Sequence, residues 1–493
     1  MNMTEPFTPT PRLKDSDTFR TISYAELEER NLNLKRQREA GKTSEEFGVE
    51  LRREITNDDG VKALIVCFSD LEGKLHMLDY NKKYVLESES NLTFDGSSIK
   101  GFSAQNTSDL RLKLDWTSFR WLPADIFGAG KVLVFADVYD QNGAPYESDY
   151  RVVLKTMTTS LLAQGMTVNV APEIEGFLLG GEDSEQHFDE RLGFKLASEG
   201  GYFNVLPQDK LRQFIDRLAE ATRAMGFENE KDHPEVAPSQ FETNYKYTEV
   251  LHAADYVQLY KVLARQIAKT FGYTASFLPK PVPGINGSGM HSNISISQGG
   301  KNIFYDVAGK YNLSEKAHKF LTGVLHYGND VCLVFNSSVN AYRRLDPHFE
   351  APNEIKVSAS DRGSMIRIPI GNEKSARIEV RTVAPDSNPY LTFYMILKAG
   401  FRGVEADDQI FAGYRDVFDG PVKKLPGTIY EALAYFRASD FAKNVMGETN
   451  HAKFAELKES AANRCPAELG TRVKSGEVWY HHEVRNQVLW NQF

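Results

Sequence analysis

Two glutamates stand two positions apart in a mostly apolar stretch, Ala171-Pro-Glu173-Ile-Glu175-Gly-Phe-Leu-Leu179. The large and β-branched apolar residues predict a short buried strand, and alternation along a strand places Glu173 and Glu175 on the same face. Two carboxylates on one buried face repel each other and are costly to desolvate. A divalent cation would offset both effects. The alternative is a solvent-facing edge strand with ordinary surface glutamates.

Two later stretches carry further residues of types that can bind metals or small polar ligands. Glu235 and Glu242 lie among small and apolar residues with prolines nearby. His291 follows the loop Asn286-Gly287-Ser-Gly289-Met and leads into an alternating strand. We expect the glycines of this loop to permit unusual backbone angles and a close approach of a ligand to the main chain. For His291 taken alone, a hydrogen-bonded core histidine is the alternative.

A basic span runs from Asn336 to Arg381. It holds eight basic residues, six of them arginine, interleaved with isoleucine, valine and proline. Planar guanidinium groups suit carboxylate and phosphate, so the span predicts an anion pocket. In Arg377-Ile-Glu379-Val-Arg381 the three charged side chains should share one strand face. A network of ion pairs is the alternative.

One polar stretch precedes these, Asn91-Leu-Thr-Phe-Asp95-Gly-Ser-Ser98. Taken alone, Asp-Gly-Ser-Ser is typical of a turn.

Composition narrows the class of protein. The 493 residues include 58 basic and 67 acidic ones, for a net charge of −9. The chain therefore lacks the overall positive charge that is typical of proteins that bind nucleic acid. No apolar run reaches the ~20 residues of a membrane helix, and the polar N-terminus lacks the apolar core of a signal peptide. Cys67, Cys332 and Cys465 lie far apart, and the first two sit in apolar runs typical of buried free thiols. These features predict a cytoplasmic protein that binds neither nucleic acid nor membrane.

The order of elements predicts two domains. We expect a flexible tail over 1–22, a small strand-rich domain with leading helices over 23–143, and a larger domain over 144–493. The first helix should begin with a capping box at Ser23-Tyr-Ala-Glu26. Later helices are predicted from about 44 to 55, 149 to 165, 210 to 226, 252 to 272, 314 to 327, and from 388 to near Gly400. Beyond Gly420 the pattern is helical and polar.

Taken together and in this order, the five stretches resemble the glutamine synthetase family. The resemblance covers nearly the whole chain from about residue 61. It implies an α+β fold, with a small N-terminal β-grasp domain followed by a large catalytic α/β domain of the glutamine synthetase type. It also implies a site between neighbouring subunits of a homo-oligomer, usually a dodecamer of two hexameric rings. ATP and glutamate would enter opposite ends of that site, with two or more Mg²⁺ (or Mn²⁺) per subunit between them.

The resemblance assigns roles position by position. It implies one metal site formed by Glu175, Glu235 and Glu242, and a second formed by Glu173, His291 and Glu379. It implies substrate contacts from Asn286, Gly287, Arg344 and Arg381, and phosphate or nucleotide contacts from Arg362, Arg367, Asn293 and Ser295. Asp95 and Ser98 would reach from the neighbouring subunit towards ammonium, and Glu350 would lie in a flap over the glutamate entrance. Asp95, Glu350 and Arg362 are the expected catalytic residues.

The sequence departs from the family at a few positions. Ile285 stands where an aspartate is common, Asn293 where a histidine is usual, and Ser360 where an arginine is usual. The family's Asn-Pro pair is Asn336-Ser337 in this chain. The tyrosine-bearing segment at which some members are adenylylated is absent, since Phe418-Asp-Gly-Pro-Val-Lys-Lys-Leu-Pro426 leads straight into a helix. None of these changes removes an expected metal ligand.

The resemblance predicts an ATP-dependent ligase that joins ammonia to the γ-carboxylate of glutamate through γ-glutamyl phosphate. Two alternatives remain. One is a ligase of the same fold that uses an organic amine, although such relatives tend to alter the acids kept here as Asp95 and Glu350. The other is a non-enzymatic structural or regulatory member, although such proteins usually lose metal ligands and all six are present.

Overall fold

Two helices lead into the first sheet of the chain. The computed structural model describes residues 20–184, 193–205, 209–415 and 421–463. The leading helices are α1 (Tyr24–Glu39) and α2 (Ser44–Asn57), where two were predicted.

The capping box predicted at the start of α1 is incomplete. The Ser23 hydroxyl accepts a hydrogen bond from the Glu26 amide, but the Glu26 carboxylate accepts from Arg30 instead of turning back. Both halves of a capping box occur at the start of α2, between Thr43 and Glu46. The first-turn glutamate of α1 is thus drawn to a partner one turn along the helix.

The first sheet is small and has mixed pairing. Its strands are β1 (Ala63–Ser69), β2 (Leu75–Asn81), β3 (Leu92–Asp95), β4 (Asp109–Trp121) and β5 (Lys131–Tyr139). They lie in the order β2-β1-β5-β4-β3, with β1 parallel to β5 and the other neighbours antiparallel. Two short helices, α3 (Lys82–Ser88) and α4 (Ala124–Phe127), lie in the connections. Leu64 and Val66 of β1 share a buried cluster with Phe47 and Leu51 of α2.

The second sheet is built on one long strand, β6 (Met166–Gly180). Its other strands are β7 (Asn229–Pro234), β8 (Gln240–Tyr245), β9 (Thr248–Glu249), β10 (Tyr273–Ser276), β11 (Met290–Gln298), β12 (Lys301–Asn302), β13 (Glu354–Ser358), β14 (Ser364–Arg367) and β15 (Ile378–Val380). The order is β13-β14-β15-β11-β6-β8-β7, with β9 and β10 pairing to β6 and β12 to β11. The strand predicted over 171–179 is therefore the inner part of a longer central strand, and the edge-strand alternative is wrong.

Helices surround this sheet. They are α5 (Tyr150–Ala163), α6 (Lys210–Ala224), α7 (Val250–Thr270), α8 (Glu315–His326), α9 (Gly328–Phe335), α10 (Val339–Arg344), α11 (Pro389–Glu405), α12 (Asp408–Tyr414), α13 (Ile429–Ala438), α14 (Asp440–Met446) and α15 (Glu448–Ala462). The helices predicted in this region are confirmed, as is the small strand-rich first part of an α+β chain.

Helix α11 continues past Gly400, where we predicted its end. A Cβ atom at Gly400 would lie 2.3 Å from the ring of Phe320, and one at Gly403 would lie 2.1 Å from the carbonyl oxygen of Lys319. Both contacts are with α8. The glycines therefore allow two helices to pack closely, a tertiary requirement that outweighs the low helix propensity of glycine.

A fully buried arginine links the first sheet to helix α7. Arg151, in the first turn of α5, donates to Asp137 at 2.6 Å and Asp115 at 3.0 Å in the first sheet, and to Asp255 of α7 at 2.9 Å. Burial alone would raise the pKa of Asp115, but Arg151 and Lys155 hold that pKa well below its usual range. Buried charges need such pairing, so this cluster ties the small sheet to the layer behind β6.

Some predictions fall outside the described residues. These are the tail up to residue 19, Cys465, and the part of the Phe418–Pro426 segment before residue 421. Cys67 and Cys332 are buried thiols, as predicted. None of the described helices is long and apolar enough to cross a membrane.

Candidate active site

The register of the second sheet places four of the predicted metal ligands side by side. Glu173 on β6 is directly opposite His291 on β11, and Glu175 is opposite Glu242 on β8. Residues directly opposite on antiparallel strands have Cβ atoms about 4.5–5.5 Å apart. The pattern of alternation on β6 therefore brings side chains from three strands into one cluster.

One group of possible metal ligands consists of Glu173, His291 and Glu379. Their ligand atoms all lie within 4.8 Å of one another. His291 Nδ1 is 3.5 Å from an oxygen of Glu173 and 3.8 Å from an oxygen of Glu379. This is the set predicted for the second metal site.

A second group consists of His233, Glu235 and Glu242, again within 4.8 Å. We had predicted Glu175 with these two glutamates, and it lines the same cavity but lies outside this tight group. Its carboxylate accepts from the Gly289 amide at 2.7 Å and from Gln240 Nε2 at 3.3 Å. Glu175 is thus held by two donors beside the group.

Burial and repulsion shift the pKa values of these carboxyl groups. Burial first, and then Glu235, raise the pKa of Glu175 to about 8 against the opposing charge of Arg344. Burial together with Glu175 raises the pKa of Glu242 well above its usual range. Burial would also raise the pKa of Glu173, but hydrogen bonds from His291 and Asn293 lower it to about 2. Crowded carboxylates of this kind gain from a cation placed among them.

The imidazole of His291 is in the state that metals prefer. Burial, and then the charge of Arg381, lower its pKa, so the ring is neutral near pH 7. In the second group, Nε2 of His233 is buried and has no hydrogen-bond partner among the described residues. The donor sets, two carboxylates and one imidazole in each group, fit Mg²⁺ or Mn²⁺.

Arginines contact Glu379 and line the same cavity. Glu379, only 1 % exposed, accepts from Arg381 at 2.6 Å and lies 2.8 Å from Arg367. Arg344 is buried and donates to the carbonyl oxygens of Arg381 and Thr382 at 2.8 and 3.2 Å. The ion-pair alternative is correct for Arg381, but the second partner of Glu379 is Arg367 of β14, since Arg377 donates to Asn293 Oδ1 at 2.8 Å. The guanidinium groups also line the cavity.

The cavity that joins these groups has a volume of about 310 Å³. It brings together twelve of the predicted site residues, namely Glu173, Glu175, Glu235, Glu242, His291, Asn286, Gly287, Arg344, Glu350, Arg362, Arg367 and Arg381. A neighbouring cavity of about 390 Å³ shares Glu173 with it and is lined by Asn293, Ser295 and Arg377. The two predicted nucleotide contacts Asn293 and Ser295 thus lie next to the acid cluster and not inside it.

The glycines at 287 and 289 are needed because neighbouring groups leave no room for a side chain, and not because the backbone has unusual angles. Gly287 and Gly289 are not among the residues with positive φ, so the unusual angles we expected are absent from this described loop. A Cβ atom at Gly287 would lie 2.4 Å from the Pro279 carbonyl oxygen, and one at Gly289 would lie 2.6 Å from Arg344 Nη2 and 2.7 Å from His291 Nε2. The space beside these glycines is occupied by protein atoms of Pro279, Arg344 and His291, so the close approach of a ligand stays a prediction.

Asp95 and Ser98 lie away from this cavity in the small sheet. Asp95 ends β3 and is exposed, and its carboxylate accepts from the hydroxyls of Ser97 and Ser98, each at 2.6 Å. The hydrogen bond from Ser97, followed by that from Ser98, lowers the pKa of Asp95. The turn predicted here is confirmed as a short 3-10 helix, Gly96–Ser98.

Several residues of the site were missed from the sequence. Among them are Tyr202 and Gln240, which line the cavity, and His233, which belongs to the second group of possible ligands. His233 stands two positions before Glu235, and that spacing was a usable signal on a strand. Gln240 bridges Glu175 to the Gly287 carbonyl oxygen at 3.0 Å, a contact that depends on cross-strand register. Tyr202 offered no local signal.

Comparison with protein families matches two regions. Residues 60–141 match the family described as "Glutamine synthetase, beta-Grasp domain", and residues 147–471 match "Glutamine synthetase, catalytic domain". A glutamine synthetase of Methanosarcina mazei is 36 % identical over 416 residues, covering 82 % of this chain and 92 % of the relative. One of Thermotoga maritima is 35 % identical over 442 residues, covering 87 % and 98 %.

Solved structures agree with this comparison. The cryo-EM structure of Plasmodium falciparum glutamine synthetase superposes with a TM-score of 0.75 at 22 % identity, covering 87 % of this chain and 98 % of that one, and so supports the fold. A structure of GmaS with ADP has a TM-score of 0.71 at 25 % identity, covering 87 % and 97 %. By domain matches, identity and coverage, this chain belongs to the glutamine synthetase family.

Proposed function

We propose that this chain is a glutamine synthetase, an ATP-dependent ligase that forms glutamine, ADP and phosphate from glutamate, ammonia and ATP. The observation that carries the proposal is the 310 Å³ cavity, which is lined by the acids of β6 and β8, by His291 of β11, and by the arginines Arg344, Arg362, Arg367 and Arg381. The acids suit cations, and the arginines suit carboxylate and phosphate. The curated relatives named above carry the same name.

The residues divide into roles by charge. Asn286, Gly287, Arg344 and Arg381 would bind glutamate, while Arg362 and Arg367 would face the phosphate in transfer. Asn293 and Ser295, in the adjoining cavity, would contact the nucleotide. In the first step the γ-carboxylate of glutamate attacks the terminal phosphate of ATP and ADP leaves. The guanidinium groups would stabilise the negative charge of that phosphate during transfer.

Two metal ions fit the acid clusters. Glu173, His291 and Glu379 would hold one, and Glu235 and Glu242 would hold the other together with Glu175, with His233 as an additional donor. Bound Mg²⁺ or Mn²⁺ would supply neutralisation of phosphate charge. The chain's own part is to hold these side chains in place through the strand register and through the donors on Glu175.

The second step needs a proton acceptor. Ammonium loses a proton to a carboxylate, ammonia attacks the acyl carbon of γ-glutamyl phosphate, and phosphate leaves. We assign the acceptor to Asp95, supported by Ser98, and place Glu350 at the cavity wall as a second acid. Since Asp95 lies outside the cavity of its own chain, it would serve the site of a neighbouring subunit. A dodecamer of two hexameric rings, a domain boundary at 143/144 and a cytoplasmic location complete the proposal.

An amine ligase of the same fold is the second candidate. Tyr202, with 45 % of its surface exposed, and Phe203, with 52 %, stack at 3.8 Å beside His233, and Tyr202 lines the cavity. Exposed rings near acids also suit an organic ammonium ion. This feature favours testing amines larger than ammonium.

The choice of nitrogen donor tests the proposal. Phosphate release from ATP is measured with glutamate and either ammonium, methylamine or ethylamine, and the amide product is identified by mass spectrometry. We expect glutamine formation with ammonium at the highest kcat/KM. If kcat/KM is higher for an alkylamine than for ammonium, the amine ligase is the correct function. If no amide forms with any donor, the non-enzymatic alternative is the one that stands.

A further inference from the structure

Two segments of the cavity wall are joined by one buried lysine. The first is the glycine-loop segment, residues 280–287, which carries Asn286 and Gly287. The second is the Glu350 segment, residues 346–351, which carries Phe349 and Glu350. Both line the same cavity. Lys280 begins the first segment and is only 8 % exposed.

The backbone of Lys280 is fixed independently of its side chain. Its amide donates to Asn340 Oδ1 at 2.6 Å, and its carbonyl oxygen accepts from Asn340 Nδ2 at 3.0 Å. Asn340 lies on α10, just before the Glu350 segment. The point from which the lysine side chain starts is therefore fixed.

The ammonium group contacts both segments. It donates a hydrogen bond to the carbonyl oxygen of Ile285, and it lies 3.9 Å from the centre of the Phe349 ring. Among the described residues no carboxylate lies within 4.0 Å of it. A cation held over a ring in a partly desolvated place gains more than one in water. The ring of Phe349 is thus in direct contact with the ammonium group, while Asp346 of the same segment attracts its charge from a longer distance.

The Glu350 segment has few other ties to the cavity. Glu350 itself has a left-handed backbone, with φ of 60°, and its carboxylate accepts from Asn286 at 3.3 Å and lies 3.8 Å from Arg362. Within the segment, His348 and Phe349 bond back to Asp346. Glu350 is therefore placed by these two contacts, which are long, and by what the adjacent Phe349 touches.

We propose that Lys280 is a positioning residue that latches Phe349, and with it Glu350, against the glycine-loop segment. The consequence for catalysis rests on the proposed function: the latch sets where Glu350 stands relative to the amine and keeps water from the γ-glutamyl phosphate. Water that reached this intermediate would hydrolyse it to glutamate and phosphate, with no amide formed.

Three variants isolate the latch. Lys280→Met removes the charge and the hydrogen bond to Ile285, Phe349→Leu removes the ring and leaves the lysine in place, and Lys280→Arg restores a cation. The matched control is Lys310→Met, since Lys310 lies 5.1 Å from the ring of Tyr311 outside the cavity. Phe349 is only partly buried, so its replacement tests the latch even where Lys280→Met folds poorly.

The first measurement is hydrogen exchange of the peptide covering 345–352 in the full-length protein without substrates. We expect exchange to be about 3- to 30-fold faster in Lys280→Met and in Phe349→Leu, near wild type in Lys280→Arg, and unchanged in the control. The double variant should exchange no faster than either single one, because both remove the same contact. Unchanged exchange in Phe349→Leu, or additive effects in the double variant, would overturn the latch.

The second measurement is the ratio of phosphate released to amide formed. With ATP, glutamate and ammonium, we expect this ratio and the KM for ammonium to rise in Lys280→Met and Phe349→Leu, with a smaller change in the KM for ATP. A ratio equal to wild type in both variants would overturn the role in catalysis. If wild type forms no amide with any donor, the proposed function fails, while the exchange measurement still decides whether the latch exists.

Discussion

Asn293 donates a hydrogen bond from Nδ2 to the carboxylate of Glu173 at 2.9 Å, and its side-chain oxygen Oδ1 accepts from Arg377 Nε at 2.8 Å. The amide therefore links a candidate metal ligand to an arginine that lines both cavities. This is the position at which the family usually has a histidine. Asparagine at this position thus still orients Glu173.

Replacing Asn293 by alanine should weaken metal binding. Partners that orient a metal ligand typically contribute 10- to 100-fold in affinity, so we expect a loss of about that size, together with a higher KM for ATP. Titration calorimetry with Mn²⁺ measures the first effect and steady-state kinetics the second. Ser297→Ala is the control, since Ser297 lies on the same strand and bonds to Asn169 instead. Equal Mn²⁺ affinity in Asn293→Ala and wild type would contradict the assignment.

Glu175→Gln should separate stability from function. Glu175 is buried beside Glu235, and an uncharged side chain removes that repulsion while its oxygen can still accept from Gly289. In EDTA we expect the variant to be more stable than wild type, by about 1–3 kcal/mol. With Mg²⁺ present, wild type should gain more stability than the variant, and the variant should lose most activity. Thermal unfolding in both buffers measures this, and equal metal-induced shifts would count against Glu175 as a ligand.

The main features of this site follow from local patterns in the sequence. Alternation alone places Glu173 and Glu175 on one face. The helices predicted from about 149 and 314 are found there, with Asp149 and Ser314 as their N-caps. These features depend on neighbours within a few positions along the chain.

Features that depend on tertiary packing were harder to predict. The pairing of Glu175 with Glu242, and the group formed by His233, Glu235 and Glu242, depend on which strands are neighbours and in what register. Helix α11 continues past Gly400 because it packs closely against α8 at that residue. The sequence shows the residues in each case but not the partner that decides their role.

His252 should make stability depend on pH. Burial first, and then the charge of Arg38, lower its pKa from 6.5 to about 3, against the opposing charge of Asp255. The unfolded chain takes up a proton below pH 6.5 and the folded chain only near pH 3, so stability from this group is present above pH 6.5 and is lost as pH falls. At pH 5 the loss is about 2 kcal/mol.

The measurement for His252 compares wild type with His252→Gln by urea unfolding at pH 7.5 and pH 5. The nearby Glu249, whose pKa burial raises to about 7, changes in the opposite direction but is present in both proteins. The difference between the two proteins should therefore shift by about 2 kcal/mol in favour of the variant at pH 5. A difference that is the same at both pH values would show that His252 is not buried as a neutral ring.

Subunit mixing tests whether Asp95 serves a neighbouring chain. Asp95→Asn and Glu235→Gln should each be nearly inactive alone, because each removes one acid from every site. If a site takes Asp95 from one subunit and Glu235 from the next, about a quarter of the sites in mixed oligomers carry neither substitution. Activity should recover in that proportion. The control mixes Glu235→Gln with Glu242→Gln, which lie in the same group of one chain and should not complement. A fully active monomer would contradict the shared site.

Asp95→Asn also tests which nitrogen donor the site is built for. An ammonium site must attract a compact cation and must remove a proton from it, since only neutral ammonia is a nucleophile. The carboxylate of Asp95 can do both, and the hydroxyls of Ser97 and Ser98 that lower its pKa keep it ionised. The amide of asparagine keeps the shape and loses both abilities.

We therefore expect kcat/KM for ammonium to fall on the order of 10²-fold in Asp95→Asn, with little change in the KM for glutamate. The deficit should be present across the neutral pH range, because the lost group is ionised throughout it. Ser98→Ala serves as the matched variant, since it removes one hydrogen bond to Asp95 and leaves the charge, and it should cost much less. Unchanged ammonium kinetics in Asp95→Asn would mean that the proton goes to another acid, and Glu350, hydrogen-bonded to Asn286 at the cavity wall, would be the next residue to replace.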